Sequence, residues 1–223
     1  MKILSLNGGL PREVQWNGEP VQTGIFKSPV AGPVPLRKLN LDGDRQADLT
    51  VHGGEHKAVS CYPYAHYDYW RRELPGHELT MGAFGENFTV DDSPLEGDIH
   101  LGDRFAVGTA EIVVTQPRLP CYKLIIKFGI DDIIKRFLAS GRTGFYALVA
   151  KEGDVGSGDE MRLIERNPNQ VSVSQIARLY TAKEYGEEDH AILDRIFRID
   201  SVPGSWKHYF RNRLQIAALK AHI

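Results

Sequence analysis

Apolar runs in the first 165 residues are short, and glycine, proline, asparagine or aspartate cuts them every few positions. That punctuation limits the chain to short strands joined by tight turns. It predicts strands over residues 2–6, 23–27, 34–39, 58–62, 87–90, 104–107, 110–116, 144–149 and 160–165. Many short strands of this kind build a barrel or a sandwich. Two helices interrupt them. Residues 64–74 set Tyr67, Trp70 and Leu74 at helical spacing before Pro75-Gly76. Residues 131–140 place Ile133, Ile134, Phe137 and Leu138 on one side, with Gly141 as the C-terminal cap. The fold class expected is α+β, rich in β structure.

The pattern changes at Asn167-Pro168-Asn169, a turn or linker signal that divides a first domain, 1–166, from a second, 167–223. Three amphipathic helices follow. One opens at Ser172 or Ser174 and shows Val173, Ile176, Ala177 and Tyr180. One follows the acids 187–189 and shows Leu193, Ile196 and Phe197. One opens at Pro203-Gly204-Ser205 and shows Trp206, Phe210 and Leu214. Each stripe needs a surface to cover it. The segment is therefore expected to pack on the first domain and to act as a docking module, not a catalytic one. Residues 166–223 hold 9 Lys+Arg against 6 Asp+Glu, net +3, which would attract an acidic partner.

The whole chain is nearly neutral, at −2. A nucleic-acid or membrane-surface binder is usually more basic, so neither partner is expected. The N-terminal residues reach glycine and polar side chains too early for a signal-peptide apolar core, and no run of about 18 apolar residues spans a membrane. With only 2 cysteines, a secreted disulfide framework is excluded and a cytoplasmic location is expected.

The cysteines differ in setting. Cys121 lies in residues 116–124, QPRLPCYKL, after the apolar strand. Two prolines hold that backbone extended, and Arg118 and Lys123 flank the thiol, which favours the thiolate that acts as nucleophile or soft-metal ligand. A small buried hydrophobe is the alternative. Cys61, in an apolar strand without adjacent cations, is expected to be core filler. A second feature is residues 52–57, where Gly53 and Gly54 leave bare amides among His52, His56 and Lys57, a plausible phosphate loop or a plain glycine hairpin. Asn87 could meet a ring edge or cap its own turn. Arg142 and Thr143, between glycines at a helix-to-strand junction, suit an anion.

Six strings in order resemble the MOSC domain, named for the C-terminal domain of molybdenum cofactor sulfurases. They are LDGDRQAD (41–48), VHGG (51–54), GEN (85–87), QPRLPCYKL (116–124), GRTGFY (141–146) and GSGD (156–159). Together with the helical tail, they are most similar to the bacterial stand-alone YiiM-type members. The resemblance implies a β-barrel-like domain followed by a small three-helix domain. It implies that the Cys121 thiolate ligates the molybdenum of a pterin cofactor or carries sulfur as a persulfide. It implies that Arg45, His52, Gly53, Gly54, His56, Lys57, Asn87, Arg118, Lys123, Arg142 and Thr143 supply candidates to hold the cofactor and its phosphate, on the face that carries Cys121. The implied activity is reduction of N-hydroxylated small molecules such as 6-N-hydroxylaminopurine, with electrons from a flavoprotein reductase. An association with pyridoxal phosphate comes with the family and attaches to no residue here. The alternative is a non-catalytic carrier of molybdenum cofactor or sulfur. A DNA-binding regulator built on the tail is disfavoured by the charge balance.

Overall fold

The computed structural model describes residues 1–50, 53–92 and 94–220. In chain order the strands and helices are β1 (Ile3–Gly8), β2 (Arg12–Trp16), β3 (Glu19–Thr23), β4 (Ser28–Pro29), β5 (Val34–Leu36), β6 (Val59–Pro63), α1 (Ala65–Glu73), β7 (Phe88–Val90), β8 (Arg104–Val107), β9 (Ala110–Pro117), α2 (Lys123–Phe128), α3 (Ile133–Ser140), β10 (Phe145–Lys151), β11 (Gly153–Val155), β12 (Met161–Glu165), α4 (Val173–Thr181), α5 (Glu187–Phe197) and α6 (Gly204–Lys220). A 3-10 turn, Glu55–Lys57, precedes β6.

The main sheet has the order β12-β8-β9-β10-β6-β7-β1-β4. It curls but does not close through a continuous ladder. Its ends meet at one isolated bridge, Lys2↔Glu160, with Ile3 N donating to Asp159 O at 2.9 Å. The expected α+β class is borne out, with a barrel-like sheet left open along that seam.

β6 pairs with β7 in parallel and with β10 antiparallel, and all five of its residues are buried. Both faces of the strand are therefore covered, which explains a continuous apolar run in place of alternation. Cys61 turns into the barrel core and Tyr62 into a second core under α1, α2 and α3, packed with Trp70, Phe84, Phe128 and Phe137. The aromatic rings there meet edge-on and stacked, with Trp70 and Phe137 at 5.5 Å.

The tail helices stand where the sequence places them. Ser172 caps α4 with a full capping box to Gln175. The core of the barrel runs without a break into this tail, through Val173, Ile176, Leu179, Ile192, Leu193, Ile196 and Phe210. Gly141 caps α3 in the left-handed conformation at φ 66°, as its position predicts.

The short strands β4 and β11 have no counterpart among the expected ones, and three further departures have a local reason. Residues 12–23 form the β2–β3 ribbon around Asn17 and Gly18, at φ 53° and 83°, a hairpin signal that the mostly exposed strands conceal. The expected strand at 23–27 is irregular, because Ile25 N turns back to Thr23 Oγ1 at 3.2 Å and Lys27 N to Ile25 O at 3.1 Å. The segment after Cys121 forms α2, a six-residue helix too short to show a period.

Candidate functional site

β9 carries the chain to the site. Pro117 pairs with Phe145 of β10, Arg118 N bonds Gly144 O at 3.2 Å, and the backbone then leaves the sheet. Leu124 N bonds Cys121 O at 2.9 Å, so the cysteine sits on the turn that opens α2. Cys121 is half-buried and free of any disulfide. Cys61 is wholly buried and also free, and burial pushes its thiol far up, with Glu86 adding to the effect, so it stays protonated as core filler.

Two adjoining cavities, of about 90 and 300 Å³, meet at Cys121 and share Lys57, Leu119, Pro120 and Tyr146 as common wall. The smaller is cationic: Lys27, Arg45, Lys57, Arg118 and Lys123 all line it. Lys27 is neutralised by an ion pair with the buried Asp44. Arg118 is 8 % exposed; its Nη2 donates to Phe84 O, while its Nη1 is buried with no partner among the described residues. Lys123 is 7 % exposed and lacks a hydrogen-bond or ion-pair partner among the described residues. An orphaned guanidinium nitrogen and the Lys123 side chain on one cavity suit an anion. Burial lowers the pKa of the Lys57 ammonium, and the adjacent Cys121 sulfur opposes that shift.

The expected site residues separate into three groups. Arg45, Lys57, Arg118, Lys123 and Cys121 come together on the cationic cavity. Asn87 also lines it, yet its carboxamide is committed: the oxygen accepts from Ser60 N and Oγ, both at 3.1 Å, and Nδ2 donates to Asp44 at 2.8 Å. These bonds fix it as part of the wall. Gly53, Gly54, His56, Arg142 and Thr143 line neither cavity at Cys121. His56 serves through its carbonyl, which accepts from Thr115 Oγ1 at 2.7 Å. The Arg142 guanidinium lies over the Tyr69 ring at 4.0 Å and donates to Ser140 O. Thr143 lines a third cavity that shares only Leu119 with the other two. His52 lies outside the described residues.

The larger cavity involves the tail as well. Tyr180 of α4 and Ser205, Trp206 and Tyr209 of α6 form one of its walls, opposite Cys121, Gln116 and Tyr146. Trp206 Nε1 donates to Gln116 Oε1, tying α6 to the strand that leads to the thiol. Several guanidiniums of the tail are held by contacts within it. Arg178 pairs with Asp189, Arg195 bonds Asn169 O, Arg211 covers Phe197, and Arg213 bonds the carbonyls of Leu179, Ala182 and Lys183.

Lys27, Ser60 and the tail aromatics escaped the sequence reading as site residues, since none sits in a quoted motif and only the fold brings them to Cys121. Tyr146 closes the GRTGFY string and was passed over there; it is a half-buried residue between buried neighbours on β10.

Behind the cationic cavity, Lys127 donates to Ile25 O and Gly82 O, both at 3.1 Å. Burial lowers its pKa to about 8, with Glu86 opposing and Arg118, Lys27 and Arg12 assisting. As pH rises through about 8 this charge is lost, so the affinity of the cavity for an anion falls. Sulfate, whose own charge is constant over that range, should bind the protein about threefold more weakly at pH 9 than at pH 7, the scale of one screened charge. Calorimetric titration of the parent and Lys127→Met checks this, and an equal pH response in both would refute the role of Lys127.

Comparison with known proteins identifies the family. The MOSC domain profile matches residues 48–162. The uncharacterized protein YflK of Bacillus subtilis is 36 % identical over 211 residues, covering 95 % of this chain and 93 % of that one. A protein named reductase from Gibberella moniliformis is 32 % identical over 184 residues, which are 81 % of this chain but 32 % of the fungal protein. The crystal structure of YiiM from Geobacillus stearothermophilus superposes with a TM-score of 0.77 at 35 % identity, covering 96 % of this chain and 98 % of that one. A profile spanning the strands that deliver the thiol, and relatives that match both the sheet and the tail, place the chain in the MOSC domain family.

Proposed function

We propose that the protein is a molybdenum-cofactor-dependent reductase of N-hydroxylated small molecules such as 6-N-hydroxylaminopurine, supplied with electrons by a flavoprotein reductase. The observation that carries this reading is the place of Cys121, between a cationic cavity and an aromatic one. The donor set fits a molybdopterin. The unpartnered Arg118 Nη1, with Lys123 and Arg45, suits the phosphate end of the cofactor, and the Cys121 thiolate is a soft ligand for molybdenum. Among the described residues no group of three or more His, Cys, Asp or Glu could hold a metal, so a metal at Cys121 would bring most of its ligands from outside the chain. When bound, the cofactor would supply the two-electron chemistry that takes N–OH to N–H and water. The protein holds the phosphate, presents the thiolate and admits substrate through the larger cavity. Tyr146, whose phenol burial pushes up, stays a neutral donor on the wall between the two.

The family profile, and the reductase named among the relatives, support an oxidoreductase. No described helix is long and apolar enough to cross a membrane, and two free thiols suit the reducing cytoplasm proposed here. A carrier of cofactor or sulfur would use the cationic cavity and the thiol but has no use for an aromatic cavity beside them. The test is turnover. Protein made in a molybdenum-replete cytosol should carry molybdenum and reduce 6-N-hydroxylaminopurine with a flavoprotein reductase and NADPH. Loaded protein that exchanges cofactor with other apoenzymes but reduces nothing would establish the carrier.

A further inference from the structure

The larger cavity has two unlike sides. The barrel contributes Cys121, Lys57 and Tyr146, while the tail contributes a contiguous aromatic surface. Tyr180 lies 5.5 Å from Trp206 and 5.2 Å from Tyr209, ring centre to ring centre. Tyr180 and Tyr209 are half-buried and Trp206 is 9 % exposed, so the rings are fixed but not sealed away. The Trp206–Gln116 hydrogen bond and the bond from Tyr209 Oη to Tyr180 O, at 3.3 Å, hold this surface in place. Prearranged aromatic faces favour flat π-systems, which stack on them, over saturated rings, which cannot.

We propose that Tyr180, Trp206 and Tyr209 are the recognition wall of the site, so that the C-terminal helices, and not the barrel, select a planar heteroaromatic substrate. The assignment rests on the reductase reading for its substrate, but the wall itself can be tested by binding alone. It replaces the sequence expectation of a tail that only packs and docks.

Two arms test it. In the first, adenine, the product expected from 6-N-hydroxylaminopurine, is titrated calorimetrically into the full-length protein. It should bind the parent, bind Tyr209→Phe nearly as well, since the ring face is kept and only the long Oη bond to Tyr180 O is lost, and bind Tyr209→Leu about tenfold more weakly, the loss of one stacking face. In the second, KM is compared for 6-N-hydroxylaminopurine and for N-hydroxycyclohexylamine. Tyr209→Leu should raise the first about tenfold and the second far less, with molybdenum content unchanged and Tyr209→Phe restoring the parental ratio. Adenine binding that is absent from the parent, or equal in the parent and Tyr209→Leu, overturns the recognition wall even if reduction persists. Specific adenine binding without reduction of either substrate upholds the wall and rejects the reductase reading.

Discussion

Cys121→Ser is expected to lose bound molybdenum and to reduce 6-N-hydroxylaminopurine more than about a hundredfold more slowly, whereas Cys61→Ala keeps both. Removing partners one shell beyond a metal already costs roughly 10–100-fold, and exchanging a ligand for a hard hydroxyl should cost more. The two cysteines provide an internal control. Cys121 lies half-buried where two cavities meet, while Cys61 is sealed between β7 and β10 with its thiol held protonated. Cys61→Ala leaves a small core void, so its cost should appear in stability and not in metal content. Metal analysis and single-turnover rates on the folded variants decide the matter. A Cys121→Ser protein that keeps full molybdenum and full rate would remove the thiolate from the mechanism.

The second large effect concerns Glu86. Its carboxylate is completely buried and accepts four hydrogen bonds: from Tyr67 Oη, from Gly82 N at 3.0 Å, from Phe84 N at 3.1 Å and from Thr89 Oγ1 at 2.8 Å. It thereby shapes the turn whose Gly85 and Phe84 backbone meets the cationic cavity and Arg118. Glu86→Ala strands all four donors in a dry interior and removes a negative charge from the neighbourhood of Lys27 and Lys127. The expected loss is about 3–5 kcal/mol, the range for breaking a buried charged network. For a chain of this size that lowers the melting temperature by roughly 10 °C. Glu86→Gln, which keeps the shape and one good acceptor, should lose less. Denaturant unfolding measures both, and a Glu86→Ala protein within 1 kcal/mol of the parent, on the order of a single net hydrogen bond, would show that the network is not structural.

Local patterns made much of the fold readable. β8 matches its expected limits, and the capping box at Ser172 and the stop at Gly141 are chemical signals confined to a few neighbouring residues. The β2–β3 ribbon carries a weak alternation, Val14 and Trp16 before Asn17-Gly18 and Val21 after it, that strands exposed over most of their length make easy to miss, and α2 escaped because six residues hold less than two turns. At the site, Cys121, Arg118 and Lys123 were visible because they share one motif. Asn87 sits in a motif too, but its role follows from Ser60 and Asp44, which the sequence does not place beside it. Arg142 reads as an anion ligand between glycines; its position over the Tyr69 ring is a contact that the sequence does not show. The contribution of the tail was hidden for a related reason. An amphipathic stripe announces burial, but not that a cavity lies at the edge of the buried face.

The two sides of the site come from separate stretches of the chain: the cationic cradle from residues 24–146, and the aromatic wall from residues 180–209. That separation makes the protein easy to diversify. On the proposed reading, substitutions in the last quarter of the sequence would retune what enters, while the part that would hold the cofactor stays untouched. Trp206 is the exception, because its bond to Gln116 obliges those two positions to change together. An engineer seeking new substrates would therefore randomise Tyr180, Ser205 and Tyr209 first, and move Trp206 and Gln116 only as a pair.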